Sequence, residues 1–226
     1  MPCSQRFIDH DLYRINGFLH PVDAMALAGL AGYQLGGGVL GAMMEIGVFY
    51  GRSAALMGRY LRPDERFVAS DLFDINESET GESEQLTAFR ETMRRSGISP
   101  EALIVLQGDS ARLDPAEILG RAGPIRLMSI DGGHEEHHVR SDAALAAQVV
   151  SADGVIVFDD FFNAQYPDVT VAALKALETV LSGFSPFLIT RNKLYTCRRE
   201  HLGGYRTAAR DMPVWGRANF DAFRFL

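Results

Sequence analysis

The chain has 226 residues, 47% apolar and 23% charged, enough apolar sequence for a sizeable core and too much for a disordered chain. Its formal net charge of −7 and pI near 5.4 argue against nucleic acid or an anionic membrane as a general partner, since both require a basic face; small molecules fit better. Two cysteines, Cys3 and Cys197, give no disulfide framework and point to a reducing compartment.

The opening MPCSQRFIDHDLYRING has no apolar secretory core, and no run reaches membrane-span length, so a cytoplasmic protein is expected. Residues 21–35, PVDAMALAGLAGYQL, carry apolar side chains at helical spacing behind a proline and predict a helix closed by Gly36, Gly37 and Gly38. VLGAMMEIG then reads as a strand, followed by a turn with Gly51, Arg52 and Ser53 and by a helix over SAALMGRYL. RFVASDLF is a strand, 77–96 a loop and helix, and ALIVLQGDS a strand. PAEILGRAG is a helix, IRLMSID a strand, HHVRSDAALAAQVV a helix, GVIVFDD a strand and VTVAALKALETVL a helix. FLITR and KLYTCRR, either side of Asn192, read as a β-hairpin. The tail, 203–226, is aromatic and Arg-rich without periodicity.

Strands alternating with helices predict an α/β fold: one doubly wound, Rossmann-like domain with a mainly parallel seven-stranded sheet and an antiparallel C-terminal hairpin. Residues 1–38 form a helical, lid-like lead-in, 39–200 the core and 201–226 the tail. In such sheets ligands bind at the carboxyl ends of the strands.

The first strand end carries EIGVFYGRS, with Glu45, Gly47 and Gly51. A dinucleotide fold would show G-x-G-x-x-G here; G-x-x-x-G behind an acid suits a cationic ligand without phosphate, such as S-adenosylmethionine. At the second end Asp71 is placed to accept from ribose hydroxyls, and at the third Gly108, Asp109 and Ser110 could border an adenine. Taken singly, the glycines could be ordinary turn residues and either aspartate a helix N-cap.

The sequence is similar here to class I S-adenosylmethionine-dependent methyltransferases, over roughly 17–198. MEIGVFYGRSA resembles the family's first motif, which implies that Glu45, Gly47 and Gly51, with Ser53 beside them, line the methionine part of the cofactor. SDLFD resembles the second and implies Asp71 for the ribose. NGFLHP resembles the lead-in of one small branch.

The stretch 129–138, SIDGGHEEHH, contains H-E-x-x-H, a zinc-protease signature. That signature needs both histidines on one running helix, and here Gly132 and Gly133 directly precede His134, which places it at a helix start. Asp131 ends the fourth strand, and Asp159 and Asp160 end the fifth. Three carboxylates on one rim need a hard cation, and oxygen ligation favours Mg²⁺. Adjacent strand residues face opposite ways, so both Asp159 and Asp160 can bind only if the strand ends between them. The bland alternative is an N-cap and two solvated acids.

D-x-x-H plus D-D resembles the metal-dependent sugar O-methyltransferases of antibiotic biosynthesis, of the macrolide and aminocoumarin tailoring type, and their glycan-methylating relatives. The resemblance implies Asp131, Asp159 and Asp160 as Mg²⁺ ligands, Asp131 also beside the cofactor, and His134 as general base. It further implies a small-molecule or oligosaccharide acceptor and a homo-oligomer. Glu135, Glu136, His137 and His138 read as a solvated first helical turn, and His10 and His20 as surface residues. Tyr166 and Trp215 are candidates either for a sugar face or for packing. Competing readings are a phenol or catechol O-methyltransferase, a non-catalytic cofactor-binding protein of the same fold, and, least favoured by the glycine turn, a nicotinamide oxidoreductase.

Overall fold

Strands covered on both faces should be almost continuously apolar, and the central ones here are. The computed structural model describes residues 6–75 and 83–212 and the backbone of 224–225. In chain order the elements are α1 (Pro21–Gly36), β1 (Ala42–Ile46), α2 (Arg52–Gly58), β2 (Phe67–Asp71), α3 (Glu84–Arg95), β3 (Leu103–Gln107) and α4 (Pro115–Ala122). They continue with β4 (Ile125–Ile130), α5 (Glu136–Val149), β5 (Val150–Phe158), α6 (Pro167–Glu178), β6 (Phe184–Ile189), β7 (Leu194–Arg198), α7 (Leu202–Arg210) and β8 (Arg224–Phe225).

The sheet runs β3-β2-β1-β4-β5-β7-β6-β8. The first five are parallel, and β7, β6 and β8 each pair antiparallel with their neighbour. The seven expected strands and the hairpin are present, and the two-residue β8 extends the edge. The order reverses beside β1, between β2 and β4, which opens a crevice at the carboxyl ends.

Strand alternation divides the core in two. Met43, Phe67, Leu127, Val155 and Val157 pack against α1, α2, α3 and α7. Met44, Val68, Met128, Ile156 and Phe158 face α4, α5 and α6. Among the described residues no helix is long and apolar enough to cross a membrane.

Two features depart from the sequence reading. The expected shapeless tail begins with α7, whose LGG start hides its amphipathic spacing; Tyr205 buries its ring there and its hydroxyl donates to the Asp153 carbonyl. Trp215, and Cys3 at the other end, lie outside the described residues. Cys197 is buried in β7, and burial pushes its thiol pKa up to about 12, as suits an inert packing residue.

The second departure is Arg126, fully buried within the apolar run of β4. Its guanidinium donates to Glu65 Oε2 at 3.0 Å, Gln34 Oε1 at 3.0 Å and the carbonyls of Tyr60 and Gly41 at 2.7 and 3.1 Å. Removing one partner of such a pair strands a charge away from water. Glu65→Leu should therefore destabilise the protein by about 3–5 kcal/mol in urea unfolding, with Glu65→Leu/Arg126→Met recovering most of it. A loss below about 1 kcal/mol would mean that the other acceptors suffice for Arg126.

Candidate active site

The parallel ladder continues one residue past each strand and sets the key residues in a row. Gly108 N–H donates to Asp71 O, Gly47 N–H to Ser70 O, Asp131 N–H to Ile46 O and Asp159 N–H to Ile130 O, at 2.8–2.9 Å. These residues open onto one cavity of about 1120 Å³, larger than the roughly 300–1,000 Å³ usual for a single small ligand.

On one side lies the glycine turn. Gly47 has φ +82°, and a Cβ there would come within 1.8 Å of the Asp131 carbonyl oxygen, so only glycine lets β1 and β4 approach this closely. Asp71 braces the turn: its Oδ2 accepts from Phe49 N–H at 2.8 Å and its Oδ1 from Phe73 N–H at 2.9 Å. Asp109 caps the next turn through Ala111 N–H at 2.9 Å. Ser53, Asp71, Gly108, Asp109 and Ser110 all line the cavity.

Glu45 is placed differently from expectation. It is fully buried one layer beneath the cavity wall, because its neighbour Ile46 takes the position that faces the opening. Burial pushes its pKa up to about 7, against the opposing pull of the Ser53 and Ser129 hydroxyls and Lys193.

On the other side β5 has ended at Phe158, and Asp160 adopts φ +54°. Regular alternation stops there, so Asp159 and Asp160 both reach the cavity. His134 Nε2 lies 3.0 Å from Asp160 Oδ2, and its ring stacks on Tyr166 at 3.8 Å and 9°. Asp160 Oδ1 accepts from Asn163 at 2.8 Å and Asn192 at 3.3 Å. Burial would raise the Asp160 pKa, but these bonds and His134 outweigh it and hold the carboxyl below its ordinary value. Asp131 is driven the other way, well upward, by burial and by Asp159 beside it. Donor atoms of Asp131, His134 and Asp160 lie within 4.8 Å of one another, a spacing that one cation could bridge.

Asp159 is not one of those three; it lies beside Asp131, and its Oδ2 ion-pairs with Lys193. The sequence reading missed Lys193. One compositional signal was available: it is one of two lysines among 22 basic residues, and it opens an apolar strand. Asn192 was likewise unread. The H-E-x-x-H histidines are divided as the glycines foretold. His134 sits in the loop before α5 and faces Asp160, whereas His138, on α5, groups with Glu135 and His137. The lead-in segment 17–20 closes one wall, tethered where Arg52 donates to Ile15 O at 2.9 and 2.6 Å.

Glu45 gives this site a pH signature. Its folded-state pKa of about 7 exceeds its ordinary 4.5, so its stabilising contribution is complete below about 4.5 and is lost as pH rises through about 7. Relative to wild type, Glu45→Gln should therefore gain up to ~3 kcal/mol of unfolding free energy between pH 4.5 and 8. Urea unfolding at both pH values measures it, and a pH-independent difference would mean that Glu45 stays ionised.

The sequence matches a family model described as a methyltransferase domain over residues 44–161, just over half of the chain. No curated protein matches it by sequence. Among solved structures it resembles the O-methyltransferase NovP, with TM-score 0.66 and 18% identity over 79% of this chain and 80% of that one. It also resembles CalS11, the TDP-rhamnose 3′-O-methyltransferase of calicheamicin biosynthesis, with TM-score 0.63 and 17% identity over 86% of each chain. A third is the MycE methyltransferase of mycinamycin biosynthesis, in complex with Mg and S-adenosylhomocysteine, with TM-score 0.56 and 19% identity over 84% of this chain and 53% of that one. The glycine turn, the brace from Asp71 and the row of strand-end residues all lie inside the segment matched by the family model, and the chain belongs to the methyltransferase-domain family.

Proposed function

We propose that this protein is an O-methyltransferase that uses S-adenosylmethionine and Mg²⁺ to methylate a sugar hydroxyl of a natural product or oligosaccharide. The observation that carries the reading is the position of the Asp131, His134 and Asp160 donors at one side of a cavity whose other side is the Gly47–Gly51 turn. The cofactor would lie across that turn. Asp71, with two backbone bonds already made, keeps lone pairs for ribose hydroxyls, and Asp109 and Ser110 would border the adenine. Glu45 would contribute negative potential from below the wall once pH exceeds about 7.

The donor set suits a hard divalent cation: two carboxylates, one of them strongly disfavoured as a bare anion by burial. Asp131 and Asp160 would hold it. Mg²⁺ supplies Lewis acidity that lowers the pKa of an acceptor hydroxyl. His134 presents the base. In its neutral form Nε2–H donates to Asp160, which leaves the Nδ1 lone pair to take a proton, and the Tyr166 stack fixes the ring plane. S-adenosylmethionine would supply an electrophilic methyl group that leaves its C–S electron pair on sulfur, and His134 would take the proton of the acceptor hydroxyl. The neighbours support the acceptor class: CalS11 acts on TDP-rhamnose, and MycE is described with mycinamycin VI.

Calorimetric titration of S-adenosylhomocysteine, then of Mg²⁺ into the complex, should show two saturable events. Substrate competition between sugar and catechol acceptors then separates sugar transfer from phenol transfer. His134→Ala should slow methyl transfer by about 10²–10⁴ while leaving S-adenosylhomocysteine affinity nearly unchanged. Full activity in that variant would remove the base assignment.

A further inference from the structure

Lys193 is 1% exposed, an unusual position for an ammonium group. It sits just before β7, in the turn joining that strand to β6, and its Nζ pairs with Asp159 Oδ2. The other Asp159 oxygen, Oδ1, accepts from Asp160 N–H at 2.9 Å. One oxygen therefore meets a fixed cation and the other the backbone. Asp131, on β4's end, and Asp23, buried on α1, are the next carboxylates in the field of the ammonium. The same turn serves the neighbouring aspartate, where Asn192 donates to Asp160 Oδ1 and its carbonyl accepts from Phe161 N–H at 2.8 Å.

We infer that Lys193 is a positioning residue, an internal counter-ion that takes Asp159 out of the metal's donor set and leaves Asp131 and Asp160 as the two carboxylate ligands. This rests on the metal-dependent reading above, and it differs from what the D-D resemblance implies, in which both aspartates bind. The buried carboxylates of Asp23 and Asp159, with the half-buried Asp131 beside them, are costly without a cation nearby, and a lysine from the hairpin meets that need whether or not metal is bound. A divalent cation on Asp159 would also have to sit against the Lys193 ammonium and be repelled by it, whereas the partners of Asp160 are His134 and two neutral amides and its side chain faces the cavity. The hairpin turn thereby fixes the geometry of both aspartates by different means, a charge on one and an amide on the other.

The test is Mn²⁺ titration of the full chain, followed by the electron paramagnetic resonance signal of free Mn²⁺. Asp159→Asn/Lys193→Met replaces a neutral ion pair with a neutral pair, so the net charge near the metal is unchanged. It should bind Mn²⁺ within about threefold of wild type, while Asp160→Asn loses more than tenfold. Lys193→Met alone, which frees the Asp159 carboxylate, should lower the melting temperature, with the double variant recovering it, and should tighten Mn²⁺ binding. If the single variant does not fold, the double variant decides. A tenfold or greater loss in the double variant, folded by its melting curve, makes Asp159 a ligand and overturns the proposal while the metal reading stands. Wild-type protein that binds no Mn²⁺ overturns both.

Discussion

The pairing of Lys193 with Asp159 sits where the carboxyl ends of β4 and β5 meet the hairpin, and it governs how much negative charge that rim can carry. An isolated buried carboxylate is untenable in a low-dielectric interior. Here Asp131, Asp159 and Asp23 share one ammonium, and Asp160 draws on His134, Asn163 and Asn192. The remaining negative charge is concentrated where Asp131 and Asp160 face the cavity.

β4 carries charge at both ends, and the two ends solve the problem differently. Near its start Arg126 is enclosed by Glu65, Gln34 and two carbonyls, a closed set without exposure to the cavity. Past its far end Asp131 is left incompletely compensated and faces the cavity. One strand therefore joins a saturated ion pair that organises packing to an unsaturated one that is available for chemistry.

Between these ends the sheet acts as an alignment device. The parallel ladder extends to Gly108, Gly47, Asp131 and Asp159, so that Gly47 and Asp131, 84 positions apart in sequence, stand side by side. Gly47 makes this possible, because any side chain there would collide with the Asp131 carbonyl. The glycine turn and the carboxylate rim are consequently held at a fixed separation by backbone.

The sequence by itself determined the alternation of strands and helices, the glycine turn, and the placement of Asp71, Asp131, Asp159 and Asp160 at strand ends, because these follow from local periodicity and turn chemistry. It also separated His134 from His138, since two glycines forbid a helix already running. Tertiary structure alone decided the rest. Arg126 and Lys193 stand in or beside apolar runs, but what neutralises them cannot be read locally, because their partners lie 61 and 34 residues away in sequence. The inward turn of Asp160 depends on a left-handed backbone that no residue type there requires. The submerged position of Glu45 follows from which face of β1 meets the cavity, and the helix α7 from a Tyr205 that finds its place only against the assembled sheet. Charges and conformations of this kind are fixed by neighbours distant in the chain, so only the packed fold can specify them.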